Sequence, residues 1–176
     1  MASHSHSGQR RRVDQAGRLV AWLLLAVCPP ASAWTAGLAS DPVSREQHCL
    51  LQSEAETTSD GYGQTPVTLV LNERSLMVVT KSAIDSSFSD LTLAVDREQR
   101  LKADRIERDN VVVFEQDFTT ILEQFKAGQW ATVSLRFWPT WPATQSFPVK
   151  FTLIGFTKAY ESLATCGRPS PATSAG

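Results

Sequence analysis

The sequence predicts a mainly β fold with two helices, a single domain built as a β-sandwich or a partly open β-barrel. Short segments that alternate apolar and polar residues recur along the chain, which is typical of strands with one buried face. Only two stretches repeat apolar residues with the period of a helix. No internal repeat occurs. The sequence therefore favours one sheet-based body of about six to eight strands with two packed helices.

The strands predicted from alternation lie between Cys49 and Leu153. Pro66 precedes the hairpin Val67–Leu71 and Leu76–Thr80, which turns through polar residues. The region 53–64 is predicted as a polar turn, and 96–110 as a solvated ribbon or long loop because charges are dense there. The remaining predicted strands are 50–51, 91–95, 111–114, 131–137 and 147–153.

The first helix is predicted to begin at Asp117, which can cap it, and to end at Gly128. The second is predicted to begin at Gly155 or Thr157 and to end at Gly167. Each presents one apolar stripe, formed by Phe118, Ile121, Leu122 and Phe125 in the first helix and by Phe156, Ala159, Tyr160 and Leu163 in the second.

Residues 1–33 have the order of a secretory signal peptide, with basic, then apolar, then small residues. Four arginines precede the apolar run Leu19–Val27, and cleavage is predicted between Ala33 and Trp34. The run is shorter than the roughly 20 residues that span a bilayer, so membrane contact is expected only during export. We therefore expect an extracytoplasmic protein, either periplasmic or secreted and associated with the outer envelope.

Two other leaders stay open at this point. A lipoprotein signal at Cys28 would have a small residue where Val27 stands, and a twin-arginine signal would have a bulky apolar residue after Arg12, where Val13 is followed by Asp14. Removing the leader takes away four arginines and one aspartate, so the remainder is more acidic than the full chain with its net charge of −1. This excess of acidic groups argues against nucleic acid as a partner.

The chain after the leader divides into three predicted regions: a flexible N-terminal arm at 34–46, a β-rich globular domain at 47–167 and a disordered tail at 168–176. Its two cysteines, Cys49 and Cys166, lie near the two ends of the domain, and we predict that they form a disulfide joining the first strand to the last helix. Closing so long a loop stabilises the fold by about 4 to 5 kcal/mol in the chain-entropy model. Two separate buried thiols are the alternative.

No catalytic residue, metal ligand or cofactor site is predicted. His48 is the single histidine after the leader, which argues against serine or cysteine triads and most zinc sites, and it is predicted to face solvent. A hydrolase that uses paired carboxylates stays open as an alternative function. Its candidates also suit turn or capping roles, and they are Asp85, Asp90, Asp96, Glu115 and Asp117.

The sharpest local signal is the segment 137–142, in which two tryptophans are each followed by a proline. If Phe137 points inward, alternation turns Trp138 outward beside Arg136, and Trp138 and Trp141 could stack on a sugar, a peptide or an arginine. The candidate binding surface is therefore Arg136, Trp138 and Trp141. The alternative, which the usual burial of large aromatic residues favours, is that both indoles fold back over the open end of the sheet.

The order of these features resembles the invasion-associated locus B family of exported bacterial proteins. The residues that carry the resemblance are Trp34, Cys49–Gln52, Thr65–Leu69, Val95–Asp96, Phe125–Gly128 and Phe151–Ala159. The chain departs from the family between Ile106 and Glu115, where it has no cysteine, so the family's disulfide scheme does not carry over. The resemblance implies a compact β-rich envelope or periplasmic domain from a family associated with host-cell invasion.

Taken together, the sequence predicts an exported, non-enzymatic binding or host-interaction module whose ligand is an unknown protein or glycan. A purely structural domain is a further alternative, and buried tryptophans would favour it.

Overall fold

The computed structural model describes residues 33–141 and 145–167. The predicted tail and the predicted leader, apart from Ala33, lie outside the described residues. The elements in chain order are β1 (Trp34–Ser40), β2 (Gln47–Ser53), β3 (Glu56–Ser59), β4 (Gln64–Leu71), β5 (Leu76–Thr80), β6 (Thr92–Val95), β7 (Leu101–Lys102), β8 (Arg105–Glu107), β9 (Val111–Phe114), α1 (Phe118–Ala127), β10 (Trp130–Leu135), β11 (Phe147–Thr152) and α2 (Phe156–Leu163).

The strands form two antiparallel sheets. The larger has the order β1-β2-β4-β5-β9-β8 with β3 added beside β4, and the smaller has the order β11-β10-β6-β7. The sheets do not close into a barrel, so the mainly β prediction is confirmed in its sandwich form. The predicted number of strands was too low, because β1, β3, β7 and β8 are short or poor in the β-branched residues that mark strands.

One hydrophobic core is shared by both sheets and both helices. Strand β4 sends Leu69 into it, β10 sends Val133, and β11 sends Val149. Both predicted helical stripes pack on it, with Phe125 of α1 and Phe156 of α2 buried against each other at a ring-centroid distance of 5.2 Å. The alternation of these strands between buried and less buried residues confirms the pattern that predicted them.

The N-terminal arm is a wrong prediction, because Trp34–Ser40 is strand β1, paired with β2 along its whole length. Trp34 lies edge-on to Phe156 at 5.0 Å, and its Nε1 donates to the carbonyl of Thr152 at 2.8 Å. Because all other residues of β1 except Leu38 are small or polar, its sequence lacks the alternation that marks the other strands. The rest of the predicted arm is a turn held by Asp41, which accepts the backbone N–H groups of Val43 and Ser44.

Four smaller predictions have different outcomes. Strand β3 lies inside the predicted polar turn region, which needs correction, whereas the charged region 96–110 contains β7 and β8 and is the ribbon of the two predicted alternatives. Asp117 stands at the start of α1, but its side chain makes no capping hydrogen bond there. The second helix begins after Gly155, whose φ of 84° lies in the left-handed region that glycine adopts readily.

Cys49 and Cys166 form a disulfide across a sequence separation of 117 residues, with their Cα atoms 5.9 Å apart. The alternative of two separate thiols is therefore wrong. Cys49 lies on β2 rather than on the first strand, because β1 precedes it, and Cys166 lies in the turn after α2. The bond thus joins the second strand of the larger sheet to the end of the last helix.

Candidate functional site

Three loops meet at one end of the sandwich. They are the turn 60–63 between β3 and β4, the segment 81–91 between β5 and β6, and the segment 136–141 after β10. The N–H of Trp138 donates to the carbonyl of Ala83 at 2.8 Å, and the N–H of Asp85 donates to the carbonyl of Arg136 at 2.8 Å. These bonds fix the third loop against the second.

The turn 60–63 is built by Asp60, whose carboxylate accepts the N–H groups of Tyr62 at 2.9 Å and Gly63 at 2.7 Å. The hydroxyl of Ser82 also donates to it, at 2.6 Å, which ties this turn to the segment 81–91. The Ser82 bond, followed by the two backbone bonds, lowers the pKa of Asp60 below its usual value. The ionised carboxylate of Asp60 therefore has a structural role, joining the turn 60–63 to the segment 81–91.

A second carboxylate, that of Asp85, holds the segment 136–141 in place. It is buried and accepts the hydroxyl of Thr140 and, at 2.8 Å, the N–H of Ser87. The Thr140 bond has the largest effect on the pKa of Asp85 and lowers it, and the Ser87 bond adds to this, while burial acts in the opposite direction. Asp85 thus stays ionised beneath the loop that carries both tryptophans.

Four aromatic side chains lie exposed on these loops. We call the three most exposed, Tyr62, Trp138 and Trp141, the aromatic tip. Their exposed fractions are 59% for Tyr62, 62% for Trp138 and 79% for Trp141. Phe137 points inward and contacts Phe147, as alternation predicted. The interpretation in which both indoles fold back over the sheet is therefore wrong. Pro142, which ends the predicted motif, lies outside the described residues.

Arg136, the third member of the predicted binding surface, is mostly buried, with 11% of its side chain exposed. Its guanidinium group forms an ion pair with Asp90 and lies 4.2 Å from the centre of the Phe88 ring. The hydrogen bond to Asp90 raises the pKa of Arg136. We therefore assign Arg136 to the support of the loops rather than to the exposed surface.

The segment 81–91 also lines a groove of about 370 Å³. Ile84, Phe88 and Leu91 supply apolar atoms, and the remaining walls come from the charged ribbon 102–106 and Asp109. Phe88 is exposed and contacts Arg136, so the groove is linked to the aromatic segment through that pair. The groove is therefore a mixed apolar and polar surface that the Arg136–Phe88 contact links to the segment 136–141.

Another groove, of about 460 Å³, lies beside β2 and the β4–β5 turn. His48 is part of its lining and is exposed, as predicted, with its Nε2 3.4 Å from a carboxylate oxygen of Glu46. Arg105, in the same lining, is bound to Glu107 and Glu115. His48 and Arg105 therefore each lie next to glutamate carboxylates.

Four of the five candidate carboxylates are hydrogen-bonded to other groups of the fold. Asp85 binds Thr140, Asp90 binds Arg136 and Glu115 binds Arg105. Asp96 accepts the N–H groups of Gln129 and Trp130, at 2.9 and 3.1 Å, just before β10. Asp117 precedes α1.

In the described ranges, His, Cys, Asp and Glu side chains form no group of three or more that could hold a metal ion. Neither of the two helices described is long and apolar enough to cross a membrane.

Sequence reasoning missed two aromatic residues of this region, Tyr62 and Phe88. Tyr62 lies in the region predicted as a polar turn, and Phe88 lies among serines between Asp85 and Asp90, for which turn roles were predicted. A single large aromatic residue within such a polar loop is the signal that could have found them, because it has no strand or helix face on which to be buried.

The fold and this region define an antiparallel two-sheet sandwich with two helices and an exposed aromatic end. No family model matches the chain, and no curated protein matches it. A crystal structure of invasion associated protein B from Bartonella henselae is similar to 76% of this chain and 92% of that chain, with 16% identity and a TM-score of 0.48. That protein bears the name of the family that the sequence resembles, and a likeness of this degree carries no argument about function.

Proposed function

We propose that this protein is an exported, non-enzymatic binding module of the bacterial envelope that contacts a protein or glycan ligand through its aromatic tip. The exposure of Trp138 and Trp141 carries the proposal. Large aromatic side chains are usually buried unless they bind something, because exposing them to water is costly. An exposed indole offers a large contact area and loses little conformational entropy on binding.

The attachment of the loop supports the same role. Trp138 is held at its backbone by Ala83, and the loop that follows is held by Asp85 through Thr140 and by Tyr62. A surface that is already fixed loses less entropy when a ligand binds, so more of the contact energy appears as affinity. The aromatic tip therefore has the two properties expected of a binding surface, exposed apolar area and a fixed backbone.

Export is supported by the signal-peptide pattern of residues 1–33 and by the Cys49–Cys166 disulfide, since disulfides form and persist in oxidising compartments.

A non-enzymatic role is supported by the contacts of the candidate carboxylates. Asp85 and Asp90, which are nearest to the aromatic segment, are bound to Thr140 and Arg136. Those bonds give both carboxylates a role in holding the loops together.

The test is binding of the purified protein to a washed envelope fraction from the bacterium that makes it, measured by co-sedimentation. The double variant Trp138→Ala and Trp141→Ala should weaken binding at least about thirtyfold, because a single aromatic hot-spot residue at the centre of an interface costs about 2 kcal/mol or more when it is truncated.

Trp130→Ala is the matched control. Trp130 is also exposed, but it lies at the opposite end of β10 beneath Lys150. Equal binding by the double variant and the wild type, with circular dichroism showing that both are folded, would overturn the proposal.

A further inference from the structure

Strand β1 is an edge of the larger sheet, and some of its backbone groups face away from its neighbour β2. The N–H of Glu54 donates to the carbonyl of Ala33, and the N–H of Asp41 donates to the carbonyl of Glu46. In an antiparallel ladder, bonded residues alternate with unbonded ones, so Thr35, Gly37 and Ala39 bond to β2. The N–H and carbonyl groups of Ala36 and Leu38 therefore point away from β2, and no residue of the described ranges bonds to them.

This edge differs from the other edges that the structure describes. Edge strands commonly carry charges or prolines that prevent pairing with another chain. Charged side chains occur on β3 (Glu56), β7 (Lys102) and β8 (Arg105 and Glu107), and β11 carries Pro148 and Lys150. Strand β1 has seven residues and includes no charge and no proline. It is thus a long edge of the described sheets that has neither a charge nor a proline.

We propose that β1 pairs with β1 of a second copy of this chain, antiparallel and about a two-fold axis at Gly37. In the register that uses all seven residues, Ala36 lies opposite Leu38 of the second copy, and their outward groups form four hydrogen bonds across the axis. Gly37 then lies opposite its own symmetry mate at a closely spaced, non-bonded position. A Cβ placed at Gly37 would meet nothing within 4 Å, so no described residue covers the face of the sheet at this axis.

The side chains favour the same partner. Leu38 is 64% exposed, and in this register it packs beside Ala36 of the second copy, removing apolar surface from water. No like charges meet along the strand. Asp41, the first charge beyond it, is buried and bound to Val43, Ser44 and Asn72 of its own chain. An unrelated peptide would need pockets for its side chains, whereas a two-fold pairing needs only the strand itself.

Sedimentation equilibrium from micromolar to millimolar concentration tests the proposal, using protein purified from cells that express the full chain. We expect a reversible dimer. Leu38→Lys should weaken association at least tenfold, because it places a lysine beside Ala36 of the second copy. Leu38→Pro should do the same, since it removes one outward N–H and leaves the bonds to β2 in place.

The matched control is Trp141→Lys, which adds the same charge to an exposed apolar residue at the aromatic tip, and it should associate like the wild type. Circular dichroism and the intact disulfide show that each variant is folded. A monomer at every concentration would overturn the proposal, and so would unchanged association of both Leu38 variants. Loss of association in Trp141→Lys alone would also overturn it, since the contact would then be at the other end of the sandwich.

Discussion

The hydroxyl of Tyr62 donates to the backbone carbonyls of Pro139 and Trp141, which lie 77 and 79 residues further along the chain. The first of these bonds measures 3.2 Å. An exposed aromatic residue from the larger sheet thereby fixes the loop that continues from the smaller sheet. The hydroxyl group of Tyr62 thus joins the two loops of the aromatic tip, and the substitution Tyr62→Phe removes it while keeping the ring.

Tyr62→Phe should increase amide hydrogen exchange in the segment 137–141 and weaken ligand binding, because the loop loses its attachment to the β3–β4 turn. The change in the free energy of unfolding should stay within about 1.5 kcal/mol, the usual net contribution of one hydrogen bond. Tyr160→Phe is the control, since Tyr160 stacks on Phe156 and its hydroxyl makes no hydrogen bond in the described ranges. Equal exchange in the two variants would show that the Tyr62 hydroxyl does not hold the loop.

Thr140→Val should destabilise the protein by about 1 to 3 kcal/mol, because it leaves the buried carboxylate of Asp85 without its hydroxyl donor. Urea unfolding measures the loss. Thr132→Val is the control, because Thr132 is half-buried on β10 and its hydroxyl makes no hydrogen bond in the residues described. A cost no larger than that of the control would contradict the role given to Thr140.

The same pair makes stability depend on acid pH. The folded state lowers the pKa of Asp85, so the ionised carboxylate stabilises the fold fully above the ordinary aspartate pKa of about 3.9. That contribution is lost as the pH falls through the lowered folded value. Thr140→Val should raise the pKa of Asp85 towards its ordinary value and reduce the difference in stability between pH 6 and pH 3. Acid titration followed by circular dichroism measures both, and identical acid curves for variant and wild type would argue against the assignment.

Alternation was sufficient to predict the strands whose apolar residues are large, and it turned Phe137 inward and Trp138 outward as the structure has them. It was insufficient for β1, where Trp34 is anchored by contacts with Thr152 and Phe156 that are distant in sequence. The aromatic tip depends on such distant contacts too. That Tyr62 would meet Trp141 follows from the packing of the two sheets against each other, which no local pattern contains.

The double variant Cys49→Ser and Cys166→Ser should lower the free energy of unfolding by up to about 4 to 5 kcal/mol. Without the disulfide, the loop between two residues separated by 117 positions is no longer closed in the unfolded chain, which therefore gains entropy. Reduction of the wild type should have the same effect, and urea unfolding with and without a reducing agent measures it. Each single variant should resemble the double variant, since either change breaks the bond. Equal midpoints for oxidised and reduced wild type would contradict a stabilising disulfide.

Trp34 is buried and Trp141 is largely exposed, so replacing each of them by alanine compares a buried with an exposed tryptophan. Trp34→Ala should cost about 3 to 5 kcal/mol, because it empties a space lined by Phe125 and Phe156 and removes the hydrogen bond to Thr152. Trp141→Ala should change stability by no more than about 0.5 kcal/mol, because that side chain is largely in solvent.

Urea unfolding of both variants, with fluorescence quenching by acrylamide in the native state, measures the difference. Trp141→Ala should remove a strongly quenched component of the emission, and Trp34→Ala, if enough of it folds, should remove a protected one. A large loss of stability in Trp141→Ala would mean that its indole is packed in the fold. The aromatic tip would then serve the fold rather than a ligand, since a side chain that the core needs is not free to bind elsewhere.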